Sequence, residues 1–385
     1  MTTEKLYYVN QYLKETEAQV LSCIEAGGQW DIELDRTIFY PVGGGQPCDL
    51  GTIGSAQVLN TAEKEGKIIH TCDHPLTVGE RVHCVLDWER RFGLMQQHSG
   101  EHIVSGIIHE RFGYENVGFH MGSDVITIDF NGELTAQDLQ EIELAANRVV
   151  WQNVPTKIWH PEKAELDQLP YRSKKELTGA VRLVRFGDTD LCACCGTHVA
   201  YTGEIGIIKL FSTTRFRGGS RVEMLCGARA LVWINVLCGQ NHEISNLLSA
   251  KPERTADAVR RLQQEEQTAQ YRLVHAENQT FALRAAALEN AGDVLLFEES
   301  MSPDALRRFT DGVTQICGGL CGVFAGEDGA YKYAVGLKDG DLREFVKQLN
   351  SALNGRGGGK GGFAQGSVAA TREQIKDFFT SRQGN

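Results

Sequence analysis

The sequence is organised around Gln97-His98-Ser99-Gly100-Glu101-His102, a stretch that the largely apolar run 103–108 follows. Two histidines four residues apart lie on the same face of an α-helix, because a helix completes one turn about every 3.6 residues. An imidazole pair with this spacing supplies half of a metal site. We therefore expect a helix over residues 88–111 that presents His98 and His102 to a second group of ligands.

That second group lies in Cys192-Ala193-Cys194-Cys195-Gly196-Thr197-His198, where Cys194 and His198 repeat the separation of four. Thiolate and neutral imidazole are the ligands that Zn²⁺ prefers, and four of them complete a tetrahedral site. Cys192 and Cys195 are alternative thiolate ligands, but Cys194 and His198 fit on one turn, with Cys195 pointing away. The sequence predicts one zinc ion with four ligands, which are His98, His102, Cys194 and His198.

Composition indicates an ordinary globular protein. The 385 residues are 42% hydrophobic and 23% charged, which suits two or three domains. No apolar run approaches the roughly 20 residues of a transmembrane helix, and the first residues show no signal-peptide pattern. Eleven cysteines form an odd and scattered set. We therefore expect a cytoplasmic protein that has no disulfide framework and no membrane partner.

A protein that binds nucleic acid usually has a basic face, and the net charge of −11 gives no sign of one. Cationic residues nevertheless concentrate between residues 172 and 221, around the second group of ligands. A solvated face and a binding surface are about equally good interpretations of this concentration. Its members are Arg172, Lys174, Lys175, Arg182, Arg185, Lys209, Arg215, Arg217 and Arg221.

Hydrophobic periodicity predicts an α+β protein in four parts. Residues 1–89 alternate as short strands and predict a small N-terminal β-barrel. Residues 90–240 predict an α+β core that contains the zinc site. Residues 241–290 include a long stretch without Pro or Gly and predict a helical arm suited to dimerisation. Residues 291–385 alternate helices and strands and predict a glycine-rich α/β C-terminal domain.

Two glycine-rich stretches allow a local and a functional interpretation. Gly43, Gly44 and Gly45 form either a tight turn or a backbone that approaches another surface closely. The run 355–366 brings many backbone N–H groups together with Arg356 and Lys360 nearby, so it predicts either a phosphate-binding loop or a flexible surface loop.

Several polar residues are candidates for chemistry beside the metal. Zinc polarises an ester carbonyl and lowers the pKa of a bound water, so another group must manage the proton. Glu101 and His120 are the candidates for that task, and Gln46 and Thr37 for hydrogen bonds to the substrate. The stretch from His98 to His102 also fits the His-x-x-Glu-His pattern of inverted zinc peptidases, in which the glutamate is the base.

Taken together, these motifs resemble the editing half of alanyl-tRNA synthetase and its free-standing relatives, the AlaX proteins. Residues 37–46 look like the N-terminal glycine motif of the family, and the two groups of metal ligands are similar to its two zinc motifs. The segment 217–223 and the glycine-rich run 355–366 also resemble family segments. Two residues depart from the synthetase pattern: Cys195 stands where glycine is common, and His120 stands where glutamine is common.

The resemblance implies a long-form AlaX protein that hydrolyses tRNA(Ala) wrongly charged with serine or glycine, in trans and with Zn²⁺. It implies that Gly43, Gly44 and Gly45 shape the amino-acid pocket, that Thr37 reads the serine hydroxyl, and that Arg221 contacts substrate. It also implies a homodimer that edits but does not charge tRNA, because no aminoacylation segment is recognised. A non-catalytic alternative is a tRNA-binding or assembly module that zinc stabilises.

Overall fold

A computed structural model describes residues 2–173 and 180–381, so that Lys174 and Lys175 of the cationic segment lie outside the described residues. The chain forms two compact units, Met1–Asn241 and His242–Asn385. Both units mix helices and strands, which confirms the predicted α+β class. The finer division into four parts stays a prediction.

Six antiparallel strands near the N-terminus close into a barrel. The elements in chain order are β1 (Glu4–Lys5), α1 (Leu6–Val9), β2 (Glu15–Ala26), β3 (Gln29–Leu34), β4 (Arg36–Thr37), β5 (Gly51–Ile53), β6 (Ala56–Lys64), β7 (Lys67–Cys72) and β8 (Arg81–Leu86). The barrel order is β2-β3-β7-β6-β5-β8. Along β8 every second residue is buried, because successive side chains of a strand point to opposite faces.

Helix α2 (Trp88–Phe112) follows the barrel and carries the histidine pair, as the spacing predicted. The Asp87 side chain caps its first turn by accepting a hydrogen bond from the Arg90 backbone N–H at 3.1 Å. Gly113 ends it in the left-handed conformation, with φ of 68°. Every residue from 94 to 108 is buried, so α2 runs through the interior of the first unit.

A buried ion pair ties α2 to the barrel region. Arg91 and Asp49 are both fully buried, and the Arg91 Nε lies 2.9 Å from an Asp49 carboxylate oxygen. Two backbone carbonyls, those of Gln11 and Ile38, accept the remaining guanidinium hydrogen bonds. A pair that is fully hydrogen-bonded on both sides holds a charge in the core that would otherwise be costly.

Two further sheets pack against α2. The elements that follow it are β9 (Asn116–Met121), β10 (Ile126–Phe130), α3 (Ala136–Gln152), β11 (Thr156–Trp159), α4 (Lys163–Leu166), β12 (Leu183–Phe186), β13 (Asp190–Ala193), β14 (Ile208–Phe216) and β15 (Gly219–Cys226). The sheet orders are β14-β15-β10-β9 and β11-β12-β13, and all neighbouring strands are antiparallel. The short sheet places the segment after β13 beside α2, which positions the second group of ligands.

Helix α5 (Gly227–Leu247) ends in the second unit, whose elements surround a five-stranded sheet. They are α6 (Thr255–Ala286), β16 (Gly292–Glu298), α7 (Pro303–Thr314), β17 (Gly318–Ala325), β18 (Tyr331–Leu337), α8 (Arg343–Ala352), β19 (Gly355–Lys360), β20 (Phe363–Val368) and α9 (Arg372–Thr380). The order is β16-β17-β18-β20-β19, and only β16 and β17 are parallel within this sheet.

The glycine-rich run 355–366 is therefore a β-hairpin, and the prediction of a flexible loop is wrong. Gly357 pairs with Gly366 across the hairpin, and a Cβ on Gly357 would lie 2.4 Å from the Gln365 carbonyl oxygen. Here glycine permits close strand packing. Among the described residues, no helix combines the length and apolar character needed to cross a membrane.

Candidate metal centre

The four predicted ligands meet in one cluster. Their ligating atoms all lie within 4.8 Å of one another, although two residues come from α2 and two from the segment after β13. Cys194 Sγ is 3.5 Å from His98 Nε2, and the ring centres of His98 and His198 are 4.5 Å apart. The histidines are only 1% exposed. The cluster consists of His98, His102, Cys194 and His198.

The cluster fits a divalent transition metal. His102 Nε2 and both ring nitrogens of His198 are buried and have no hydrogen-bond partner among the described residues. Buried polar atoms are normally paired, so an unpaired nitrogen on His102 and one on His198, both beside the Cys194 thiol, fit the coordination of a metal ion. Three imidazoles and one thiolate are a donor set that zinc accepts. The alternative thiols are less suited, because Cys195 is exposed and Cys192 groups with His102 and Asp190 instead.

Hydrogen bonds to the far side of two imidazoles fix their orientation. His98 Nδ1 donates to Gln46 Oε1 at 2.8 Å, and His102 Nδ1 donates to Asp190 Oδ2 at 2.8 Å. Arg172 Nε in turn donates to Asp190 Oδ1 at 2.8 Å. With Nδ1 occupied in this way, each ring directs Nε2 towards the cluster.

The electrostatic environment sets the protonation of the cluster. Burial is the largest influence on Cys194 and would raise its pKa, but His98 and His198 together with His102 hold the pKa of this thiol well below its usual value. Burial lowers the pKa of His198 to about 3. At neutral pH these residues are therefore a thiolate and a neutral imidazole, the forms that bind metal.

The pKa of His102 shifts in the opposite direction. Burial would lower it, but the hydrogen bond to the Asp190 carboxylate and the neighbouring thiols of Cys192 and Cys194 raise it well above the usual value. A proton on His102 Nε2 competes with metal binding, because a ligating imidazole nitrogen must be deprotonated.

Two glycines allow backbone segments to reach the cluster. A Cβ on Gly196 would lie 2.2 Å from His98 Cε1, so only glycine fits between Cys194 and His198 at this point. A Cβ on Gly45 would lie 2.6 Å from Phe119, whose ring centre is 5.2 Å from that of His98. The predicted close approach of the 43–45 turn to another surface is therefore present, and that surface is β9.

Gln46 is fully engaged by the chain itself. Besides accepting from His98, its Oε1 accepts from the Thr197 backbone N–H at 3.1 Å, and its Nε2 donates to Thr197 Oγ1 at 2.9 Å. The structure therefore gives Gln46 the role of positioning His98 and the segment before His198. Its predicted contact with substrate stays a prediction.

The two candidates for proton transfer lie outside the cluster. Glu101 is buried, and its Oε1 accepts hydrogen bonds from Ser105 Oγ at 2.7 Å and Asn116 Nδ2 at 2.6 Å. His120 is exposed on β9. Successive strand residues point to opposite faces, and Phe119 is the residue that packs on His98. The structure thus does not bring His120 to the metal ligands.

Thr37 and Arg221 also have partners within the protein. Thr37 Oγ1 donates to His70 Nε2 at 2.8 Å in the interior of the N-terminal region. Arg221 forms a bidentate ion pair with Asp129, at 2.6 and 2.8 Å, and its guanidinium carbon lies 3.8 Å from the Phe216 ring centre. Their predicted contacts with substrate stay predictions, and those contacts would compete with these interactions.

The sequence analysis missed the residues that support the cluster from behind. Asp190 and Arg172 have been described above. Arg182 is a third, since its Nη1 donates to the carbonyls of Cys194 at 2.7 Å and Gly196 at 3.0 Å. Arg172 and Arg182 were noted only as part of a cationic segment. A single sequence carries no local signal for such long-range partners, although Asp190 stands only four positions before Cys194.

Comparison with known proteins places this centre in a family context. Residues 181–225 match the family model "Threonyl and Alanyl tRNA synthetase second additional domain", and residues 289–381 match the "DHHA1 domain". The alanyl-tRNA editing protein AlaX-L of Pyrococcus horikoshii is 29% identical, over 97% of this chain and 96% of its own length. The chain belongs to the family of AlaX-type alanyl-tRNA editing proteins.

Other relatives share shorter parts. The alanyl-tRNA editing protein Aarsd1 of Mus musculus is 30% identical over 66% of this chain and 66% of its own length. An alanine–tRNA ligase of Halorubrum lacusprofundi is 29% identical over 94% of this chain but only 42% of its own length. The similarity to the AlaX-L relative therefore covers nearly the full length of both chains.

Proposed function

We propose that this protein is an aminoacyl-tRNA deacylase that hydrolyses the ester of tRNA(Ala) mischarged with serine or glycine, acting in trans with Zn²⁺. The observation that carries the proposal is the buried cluster of three imidazoles and one thiolate, in a chain whose relatives are named alanyl-tRNA editing proteins. Zinc would be held by the four residues of the cluster.

The chemistry divides between the metal and the residues around it. When bound, zinc acts as a Lewis acid on an ester carbonyl and lowers the pKa of a coordinated water. Gln46 and Asp190 keep the imidazoles of His98 and His102 in the orientation that ligation requires. Burial excludes bulk water and strengthens every electrostatic interaction at the cluster.

Selectivity against alanine requires a hydrogen bond to the serine hydroxyl. An apolar pocket separates substrates differing by one hydroxyl only weakly, whereas a pocket with a buried polar group rejects a substrate that leaves it unpaired. The turn Gly43–Gly45 would form one wall of this pocket, since Gly45 packs on Phe119 beside His98. Thr37 remains the proposed reader of the hydroxyl.

The proposed setting is the cytoplasm, and the proposed assembly is a homodimer. All eleven cysteines are free thiols, as expected in a reducing compartment. Helix α6 exposes apolar side chains along its length, which suits a helical contact between two copies. These are Leu262, Tyr271, Leu273 and Leu283.

The test is deacylation of Ser-, Gly- and Ala-tRNA(Ala) by protein that has been stripped with a chelator and then reloaded with zinc. We expect the reloaded protein to release serine or glycine rapidly, alanine to be largely spared, and the stripped protein to be inactive. Absence of hydrolysis by reloaded protein would reject the deacylase.

A structural zinc site is the second candidate, because four protein ligands are typical of closed sites. His98→Ala distinguishes the two, with metal content, thermal melting and deacylation measured together. If the zinc is catalytic, His98→Ala should lose deacylation and keep its melting temperature. If the zinc is structural, the variant should lose its metal and unfold. The peptidase interpretation would require Glu101→Gln to abolish hydrolysis of peptides, but the Glu101 carboxylate is already bonded to Ser105 and Asn116.

A further inference from the structure

A cavity of about 630 Å³ lies in the first unit and has no role in the metal centre. Its lining combines apolar side chains with two arginines, one glutamate (Glu89) and one open stretch of helix. The residues used below are Pro47, Arg90, Gly93, Leu94, Met121 and Arg229. Gly93 leaves the helix surface bare, since a Cβ built there meets no heavy atom within 4 Å.

The cavity borders α2 on the N-terminal side of the predicted metal ligands. Leu94 and Arg90 stand four and eight residues before His98, which places them about 6 and about 12 Å along the helix axis. Pro47 directly follows Gln46, which is bonded to His98. On the opposite side, the Met121 backbone N–H donates to the Gly45 carbonyl at 3.2 Å. The cavity therefore lies beside the segment 45–47, which would also border the proposed amino-acid pocket.

The two arginines are held by neutral groups. Arg90 Nε donates to the Cys48 carbonyl at 3.1 Å, and Arg229 Nη2 donates to the carbonyls of Gly122 at 3.0 Å and Ser123 at 2.6 Å. In the parts of the chain that the structure describes, neither guanidinium has a carboxylate within ion-pair distance. By contrast, Arg91, Arg172 and Arg221 each form an ion pair with an aspartate.

We propose that this cavity binds the phosphate groups of the unpaired 3′ end of the tRNA, an assignment that rests on the proposed function. Arg90 and Arg229 are held by backbone carbonyls and form no direct ion pair among the described residues, and arginine pairs well with phosphate through several N–H groups at once. In a chain with net charge −11, two arginines against the one carboxylate of Glu89 give this cavity a local positive charge that suits an anion.

The distances and the lining favour the end of an RNA strand. If the ester lies at the cluster, Arg90 is about 12 Å from it along the axis of α2. This distance corresponds to the last few nucleotides, because the phosphates of a stacked strand recur about every 3.4 Å along its axis. Leu94, Met121 and Pro47 offer apolar contacts to ribose and base. The cavity is also far larger than a seryl group requires.

The experiment compares Arg90→Gln and Arg229→Gln with Arg111→Gln as the matched control. Arg111 is an exposed arginine near the other end of α2, and its carboxylate contact, with Glu141, is as long as 4.0 Å. KM and kcat for Ser-tRNA(Ala) are measured at several salt concentrations. Binding of the trinucleotide CpCpA and of adenosine is measured by calorimetry, which needs no turnover.

We expect each cavity variant to raise KM about tenfold with kcat unchanged, as expected for loss of one charge-assisted hydrogen bond. The slope of log KM against log salt should fall by about 0.7 for each arginine. CpCpA binding should weaken by a similar factor, adenosine binding should not change, and Arg90→Lys should recover part of the loss. Arg111→Gln should match the wild type.

A substitution that fills the cavity gives an independent test. Gly93→Phe should block CpCpA binding without removing a charge, and Gly93→Ala, which meets no atom and favours the helix, should establish that the site accepts a side chain without unfolding. Unaltered KM, salt slope and CpCpA affinity in both arginine variants and in Gly93→Phe would overturn the cavity assignment. A wild type that binds CpCpA through these arginines but hydrolyses no aminoacyl-tRNA would instead overturn the deacylase.

Discussion

Replacement of Gln46 by alanine separates two roles for this residue. In the structure, Gln46 makes three buried hydrogen bonds, to His98 Nδ1 at 2.8 Å, to the Thr197 N–H at 3.1 Å and to Thr197 Oγ1 at 2.9 Å. The alanine variant leaves the Thr197 N–H and His98 Nδ1 without these partners. If Gln46 positions the metal ligand, its removal should weaken metal binding even when no substrate is present.

The expected loss of metal affinity is about 10- to 100-fold, the usual effect of removing a group that orients a ligating histidine. This corresponds to about 1.4–2.8 kcal/mol. The free energy of unfolding should fall by a further ~1–3 kcal/mol, because a buried N–H is left unpaired. Competition with a chromophoric chelator measures the metal affinity. Urea denaturation of the metal-free protein measures the free energy of unfolding.

Gln46→Glu is the matched control for this experiment. A carboxylate retains the acceptor for His98 Nδ1 and the Thr197 N–H, and the Thr197 hydroxyl can turn to donate to it. We expect metal affinity close to that of the wild type. If Gln46→Ala bound metal as tightly as the wild type but lost deacylation, the positioning role would be refuted, and Gln46 would act on the substrate as the sequence predicted.

Three further predictions concern the glycine beside the cluster, a buried histidine and the buried ion pair. Gly196→Ala should lower metal affinity at least about tenfold, because its Cβ would lie 2.2 Å from His98 Cε1; a normal affinity would show that the segment yields freely. Burial lowers the pKa of His70 to about 4, below its unfolded value of about 6.5, so the unfolded state protonates first. Neutral His70 contributes fully to the unfolding free energy above pH 6.5, and this contribution is lost as the pH falls towards 4. The unfolding free energy of His70→Gln should therefore depend less steeply on pH in this window than that of the wild type. Arg91→Leu should cost about 3–5 kcal/mol in urea denaturation, because Asp49 would be left charged and buried without its partner; a smaller loss would indicate that water reaches the carboxylate.

The sequence alone predicted the features that depend on local spacing. The His98/His102 pair and the Cys194/His198 pair each follow from a separation of four residues, and the structure joins them in one cluster. The cap of α3 is also a local feature, because Thr135 Oγ1 accepts a hydrogen bond from the Asp138 backbone N–H three residues later. These features are encoded by residues close in the chain, so a periodic pattern reveals them.

The features that depend on distant contacts could not be predicted in this way. Asp190 reaches His102 across 88 positions, and Gln46 reaches His98 across 52. The sequence predicts His120 as a candidate for proton transfer, but the structure packs Phe119 of β9 against His98 instead. The hairpin at 355–366 was missed because glycine has a low strand propensity, and packing between strands overrides it here.

Two glycines of α2 restrict how this protein can change. A Cβ on Gly100 would lie 2.2 Å from Cys226 Sγ, and a Cβ on Gly106 would lie 2.3 Å from the Thr189 carbonyl oxygen. Gly100 lies between His98 and His102, and the contact of Gly106 is with the residue directly before Asp190. A single added methyl group would therefore move the helix and the ligand set together. The positions that determine packing along this helix are therefore also the positions that determine metal affinity. The stability of the first unit and its chemistry must evolve jointly.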